Sequence, residues 1–233
     1  MNNWIALIIT FAAALGWLRL MDFFAHRGWI ESRLSRKIIH IGTGPIFVLC
    51  WLLFDNGFAG RWLAALVPFA ITVQFALIGL GIIKDDASVK SMSRTGDPKE
   101  LLRGPLFYGI SFVVLTLVFW KDSPVGIIAL MLMCGGDGIA DLVGRGIKSA
   151  KLPWSPQKSV AGSLAVFLGG WTLALLVVAV SLSAGVFAGS CSTYAVRIGL
   201  IAFAGMWVES LPFREVDNLT VSLVAVLFGT ILF

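Results

Sequence analysis

Charge is scarce in this chain. Only 13% of its 233 residues are Asp, Glu, Lys or Arg, against roughly 25% in an ordinary soluble domain. The apolar fraction is 58% and the mean hydropathy is +0.90. One small core cannot hide that much apolar surface, so a soluble globular domain and a disordered chain are both excluded. Cysteine is nearly absent as well. Cys50, Cys134 and Cys191 are odd in number, lie in or beside apolar stretches and lack metal-ligand spacing. A disulfide scaffold is therefore excluded, and the three read as packed free thiols. Histidine occurs only at His26 and His40. No Gly-x-x-x-x-Gly-Lys-Ser/Thr run is present, so there is no Walker P-loop. Low-complexity tracts and clear internal repeats are missing too.

What is present is a series of long apolar runs. A bilayer-crossing helix needs about 20 mostly apolar residues. Eight spans are expected: 3–21, 38–54, 61–83, 104–120, 124–143, 159–182, 194–208 and 218–233. The second, seventh and eighth are short, and Gly199 and Gly205 interrupt the seventh. This predicts an all-α, polytopic membrane bundle forming one domain over residues 1–233. No Lys or Arg precedes the first apolar run and no small-residue cleavage site follows it, so it reads as a retained helix.

The basic residues test this layout. Of the 18 Lys and Arg, 15 fall in the odd-numbered loops; only Arg61, Lys121 and Arg197 lie on the other side. Such asymmetry marks the cytoplasmic side, which places both termini on the non-cytoplasmic side. It also explains the net charge of +5 without nucleic acid. Most acids follow the bases: only Asp55 and Asp122 lie opposite. Asp137 and Asp141 remain, within the fifth span.

Those two acids belong to the richest stretch, Gly135-Gly136-Asp137-Gly138-Ile139-Ala140-Asp141-Leu142-Val143-Gly144-Arg145. Asp137, Asp141 and Arg145 are spaced i, i+4, i+8, which is one helix face. A carboxylate inside a bilayer is costly and usually functional. One or two carboxylates plus phosphate oxygens are what Mg²⁺ prefers. The bland reading pairs an acid with Arg145 to pin helices, with the glycines there for close packing.

Downstream runs 148–163, carrying Lys148, Lys151, Lys158, Ser159 and Ser163. Pro153 and Pro156 break any helix there and predict a compact loop. Lys158-Ser159 then opens the sixth span. A helix N-terminus offers unsatisfied N–H groups and a positive dipole end to an anion, and Lys158, Ser159 and Ser163 add donors. Acids followed by a basic loop and a helix start read as a Mg–polyphosphate site. The bland reading is that these basic residues only set topology.

The residues 136–145, then Lys151-Leu152-Pro153-Trp154, Lys158-Ser159 and Gly162-Ser163, resemble the polyprenol kinase family, the phytol kinase and farnesol kinase group. The resemblance extends to Arg36-Lys37-Ile38-Ile39-His40, to 96–105 around Asp97, Lys99 and Arg103, and to Glu209-Ser210-Leu211-Pro212 with Asp217-Asn218-Leu219-Thr220-Val221. The 136–163 block is more distantly similar to phosphatidate cytidylyltransferases and dolichol kinases. The resemblance implies a membrane enzyme that phosphorylates an isoprenoid alcohol such as phytol, farnesol or geranylgeraniol, using CTP and Mg²⁺ at the cytoplasmic face. Asp137 and Asp141 would hold the metal. Arg145, Lys151, Lys158, Ser159 and Ser163 would bind phosphate. Asp97, Lys99 and Arg103 would close over the nucleotide.

Arg36 and His40 are i, i+4 and share a face; with Lys37 they are candidates for a phosphate or the alcohol oxygen, and His40 for a general base. Glu209, Asp217 and Asn218 are either helix-end residues, Asp217 or Asn218 capping the last span, or further metal, base or ribose contacts. Two other activities use similar equipment. A lipid-phosphate cytidylyltransferase would release pyrophosphate, and an ion-coupled transporter would use the acids as a relay. A scaffold with structural charge pairs is the remaining alternative.

Overall fold

The computed structural model describes residues 1–212 and 217–233; the side chains of Ser32, Asp137, Asp217 and Asn218 lie outside the described residues. The chain forms two compact units, 1–117 and 118–233. Among the described residues, seven helical stretches are long and apolar enough to cross a membrane, and an eighth apolar helix, Leu219–Leu232, is shorter. All eight expected spans are thus helices, in an all-α polytopic bundle.

The first unit holds α1 (Asn3–His26), α2 (Ser32–Cys50), α3 (Phe58–Gly79), α4 (Asp86–Met92) and α5 (Gly104–Phe119). Polar residues start these helices. The Asn2 side chain accepts from Trp4 N at 2.9 Å and so caps α1. Asp85 accepts from Ser88 N at 3.0 Å and caps α4. Each cap satisfies an N–H that the first helical turn leaves without a partner. Met21, Ile39, Phe75, Ile78, Val89, Met92 and Leu101 form one buried cluster between α1, α2, α3, α4 and the 3-10 turn Pro98–Leu102. α1 runs five residues beyond the expected end at Met21. Asp22, expected in a loop, therefore sits on the helix and is buried.

The second unit holds α6 (Val125–Leu132), α7 (Gly138–Gly146), α8 (Val160–Ser183), α9 (Cys191–Glu209) and α10 (Asp217–Leu232). Between α6 and α7 the helix widens into a π-helical turn, Met133–Asp137. Such turns are rare and gather at functional sites. The α6–α7 stretch is unlike the other candidate spans: 82% of its most apolar window is buried, against 22–44% for the rest. It is therefore wrapped by protein, with α6 against α8 and α10 and α7 against α8. A span that leads into acids belongs in such a place, because carboxylates are costly in lipid.

Glycines set the approach of this helix to α8. A Cβ built on Gly135 would stand 2.8 Å from the Gly169 carbonyl oxygen, and one on Gly169 would stand 2.9 Å from the Gly135 carbonyl. Nine residues along, a Cβ on Gly144 would meet Ser159 Oγ at 3.3 Å and Gly162 Cα at 3.4 Å. The backbones thus touch where no side chain fits, which is how small residues are used in membrane helices.

Candidate active site

The site is built around the α7–α8 contact. α7 carries Asp141 and Arg145 on one face, as their spacing requires: Arg145 Nε donates to Asp141 Oδ1 at 2.7 Å. The pair lies within one helix and does not pin two. Its guanidinium is 65% exposed and its carboxylate 23%, so it contributes little to stability, about 0.3–0.5 kcal/mol for an i, i+4 pair. A cation or a phosphate can replace it at small cost. The Asp137 side chain lies outside the described residues; its backbone closes the π-helical turn just before α7.

Between α7 and α8 the chain folds back as a short antiparallel hairpin, Lys151–Leu152 against Ser155–Ser159, with Lys151 opposite Ser159. The prolines exclude a helix here, as expected, but the pairing was not legible. Its consequence is chemical. The expectation of unsatisfied N–H groups at the α8 N-terminus needs correction. Val160 N donates to Ala150 O at 3.0 Å, Ala161 N to Ser149 Oγ at 3.0 Å and Gly162 N to Ser159 Oγ at 3.2 Å. The hairpin brings 149–150 back onto the helix start and supplies its acceptors. An anion here must rely on side chains. Ser159, the cap of α8, spends its lone pair on Gly162 and keeps its O–H for donation. Ser163 Oγ is buried and has no hydrogen-bond partner among the described residues. Lys151 is exposed.

Lys158 is held from a distance in sequence. Its Nζ donates to Glu209 Oε1 at 2.9 Å and to the Glu209 backbone carbonyl at the end of α9. The two side chains are 19% and 9% exposed. Glu209, a candidate metal ligand, base or ribose contact from sequence, is thus found as the partner of Lys158. Next to it, Trp154 of the hairpin turn donates from Nε1 to Ser210 Oγ at 3.2 Å and stacks on Trp207, rings 5.7 Å apart and 15° from parallel. The hairpin is latched to the α9 end by one ion pair, one indole bond and one stack. Asp217 and Asn218 start α10, and their side chains lie outside the described residues.

The other sequence candidates lie in the first unit. Arg36, Lys37 and His40 are on α2; Lys37 is buried, Arg36 and His40 half-buried. The His40 ring packs on Tyr108 of α5 at 4.4 Å, and Tyr108 donates from its hydroxyl to the His40 carbonyl at 2.7 Å. Asp97 caps the 3-10 turn by accepting from Lys99 N at 2.9 Å. Lys99 and Arg103 are exposed. Glu100 ties the same loop by accepting from the amides of Arg94 and Thr95 and from the Thr95 hydroxyl.

A polar cluster not foreseen from sequence joins α1 to α4. Arg19 lies 3.3 Å from Asp22 and 3.0 Å from Asp85. Ser88 Oγ is 3.0 Å from Asp85 Oδ2 and 3.3 Å from Asp22 Oδ2, and Ser91 donates to Asp22. Partial burial pushes the Asp85 carboxyl up, but the Ser88 amide and hydroxyl and the Arg19 guanidinium outweigh it and hold it below the usual carboxylate range. The i, i+3 step from Arg19 to Asp22 was the one available signal.

Among the described residues, no three His, Cys, Asp or Glu side chains gather as a metal-binding group. A zinc-type cage is therefore not built from them. Asp141 offers a partly exposed carboxylate beside the exposed Arg145 side chain. That fits Mg²⁺, which takes one or two carboxylates together with substrate phosphates and water.

Comparison with known proteins gives the chain close company. It is 40% identical over 231 residues to a probable chloroplastic phytol kinase of Zea mays, covering 98% of this chain and 76% of that protein. It is 39% identical over 227 residues to the chloroplastic farnesol kinase of Arabidopsis thaliana, covering 97% and 74%. To phytol kinase 1 of the same plant it is 38% identical over 203 residues, covering 86% and 67%. No protein-family model and no solved structure matches.

Proposed function

The chain belongs to the phytol kinase and farnesol kinase group of the polyprenol kinase family, and from that premise we propose how its second unit transfers phosphate from a nucleotide to a membrane-borne isoprenoid alcohol. As a member of this group it is a kinase acting on an alcohol, carried on multiple apolar helices. The donor in this reading is CTP, the metal is Mg²⁺, and the reaction runs at the cytoplasmic face, where the basic loops lie.

One observation supports the assignment most. The contact of Gly144 with Gly162 and Ser159 packs α7 on the start of α8, beside the Lys151–Ser159 hairpin, and leaves the neighbouring Asp141–Arg145 pair partly exposed at that end of α7. Acid, guanidinium, two lysines and a serine hydroxyl then belong to one small region at the end of a wrapped helix.

In the reaction, the alcohol oxygen bonds to the terminal phosphorus, the bond from that phosphorus to the bridging oxygen of the nucleotide breaks, and CDP leaves. The hydroxyl proton passes to water. Phosphoryl transfer has a loose transition state, so positioning and neutralised charge dominate and a strong base is not required. Asp141, with Asp137, would hold Mg²⁺, which when bound neutralises phosphate oxygens. Arg145 and Lys151 face the phosphates as exposed charges. Lys158 contributes from a fixed place because Glu209 holds it. Ser159 donates its O–H. Arg36, Lys37, His40, Asp97, Lys99 and Arg103 lie in the first unit, and the phosphate, nucleotide or alcohol contacts expected of them are separate proposals, each tested by alanine substitution.

The test uses purified protein in detergent with Mg²⁺, terminally labelled CTP and a set of prenyl alcohols. Label in a prenyl monophosphate, with CDP released, is expected. Pyrophosphate release on a lipid phosphate, with no transfer to any alcohol, would replace the kinase by a cytidylyltransferase.

A further inference from the structure

Five aromatic rings of the second unit form a continuous ladder that begins at the hairpin. Trp154 stacks on Trp207 at 5.7 Å; Trp207 meets Phe203 at 6.4 Å, edge to face; Phe203 meets Phe167 at 6.4 Å, again edge to face; Phe167 stacks on Trp171 at 6.3 Å and 2°. Trp171 ends the series, its Nε1 donating to the Ala195 carbonyl at 2.9 Å. The rings run along the seam of α8 and α9. At 1.5 Å per helical residue, Ala195 to Trp207 spans about 18 Å.

Two features separate this ladder from a scatter of lipid-facing aromatics. It is anchored at both ends by indole hydrogen bonds, to Ser210 and to Ala195, so the rings have fixed places. Its first ring belongs to the hairpin that carries Lys151 and Lys158. Trp154, Phe203 and Trp207 are each close to half exposed, at 47%, 50% and 49%, and Phe167 and Trp171 are half-buried. The two end contacts are stacked and the two middle ones edge to face, so Phe203 stands across the planes of its neighbours.

We propose that this ladder is the binding track for the hydrocarbon chain of the alcohol substrate. The inference rests on the kinase reading above and deepens it: a chain lying on α8–α9 delivers its hydroxyl to the hairpin lysines, and the ladder's length sets which isoprenoid lengths bind well. The far end at Trp171 marks the depth the chain reaches.

The test has two arms. A prenyl alcohol bearing a photoreactive diazirine near its hydrocarbon end is cross-linked to the full chain in detergent, with and without excess geranylgeraniol, and the labelled residues are mapped. Label on Phe167, Trp171 or Phe203 that the competitor removes is expected. Label that the competitor leaves unchanged, or that falls in residues 1–117, overturns the track. The second arm compares Phe203→Ala with Leu200→Ala, since Leu200 is 53% exposed on the same helix and makes none of the ladder's ring contacts. Losing one aromatic contact of about 1–1.5 kcal/mol corresponds to roughly a tenfold rise in KM. Phe203→Ala is expected to show that rise for a twenty-carbon alcohol, with kcat kept and a ten-carbon alcohol little affected, and Phe203→Trp to restore it. Equal effects from Leu200→Ala would overturn the track in favour of a general lipid face. Competed labelling without any phosphoryl transfer by the unaltered protein would retain the track and reject the kinase reading. Transfer with uncompeted labelling would do the reverse.

Discussion

Replacing Gly135 by alanine probes how the acid-bearing helix is held. The new Cβ would lie 2.8 Å from the Gly169 carbonyl oxygen and 3.1 Å from the Leu173 Cβ, whereas ordinary contact begins at 3.4 Å. The nearest obstacle is backbone, which cannot rotate away, so the π-helical turn and α8 must separate by several tenths of an ångström. Overpacking of this kind costs about 1–3 kcal/mol. The gain in helix propensity from Gly to Ala offsets up to about 1 kcal/mol. A net loss of about 1–2 kcal/mol is expected. Gly146→Ala is the control, because nothing lies within 4 Å of a Cβ there; it should leave stability unchanged or raise it slightly. Unfolding is followed by helical signal against denaturant in a fixed micelle, and phosphoryl transfer on the same samples. Because Asp137 and Asp141 follow directly, Gly135→Ala should also slow turnover, by up to about a hundredfold if the shift reaches an ångström. A Gly135→Ala protein as stable and as active as the unaltered one would refute the close backbone contact.

Three further outcomes follow from the same geometry. Glu209→Ala should lower turnover by loosening Lys158 and the hairpin, while Glu209→Gln, which keeps an acceptor for Nζ, should recover most of it. Breaking one partner of a largely buried pair should cost about 3–5 kcal/mol at most, and a double-mutant cycle with Lys158→Met should show coupling; additive effects would remove the latch. Asp85 is held below its ordinary carboxylate range, so its stabilisation is present in full above the unfolded-state value and is lost as pH falls through the native one. Acid unfolding of the unaltered protein should therefore be steeper than that of Asp85→Asn, which keeps a helix cap but cannot titrate. Trp154→Phe removes the indole bond to Ser210 and keeps a ring on Trp207; it should retain most activity, whereas Trp154→Ala should not, measured as kcat on one alcohol.

The helices were legible in the sequence because each is an apolar run of bilayer length, and the glycines, prolines and polar caps between them have local effects. The i, i+4 relation of Asp141 to Arg145 was legible for the same reason. Contacts between distant residues were not. Lys158 and Glu209 are 51 positions apart, and nothing local in either announces the other. The N–H groups of α8 are satisfied by Ser149 and Ala150 only because the hairpin folds them back, a pairing hidden behind two prolines. The charge of Asp22 ends the apolar run and so predicts a loop; the helix continues through it because Ser88, Ser91 and Arg19 satisfy the carboxylate. The π-helical turn has no signal in composition beyond its paired glycines.

The most direct measurement is the rate of label transfer from CTP to a prenyl alcohol by Asp141→Asn, across a range of Mg²⁺ concentrations. The change keeps the size of the side chain and leaves Arg145 largely exposed to solvent, and folding of the variant is checked by its helical signal. Expected is a loss of turnover of a hundredfold or more, since removing one charge-stabilising group costs about 10²–10³ in rate, with the residual rate needing more Mg²⁺. Turnover near that of the unaltered protein, with the same Mg²⁺ dependence, would contradict the assignment of Asp141 to the metal–phosphate chemistry.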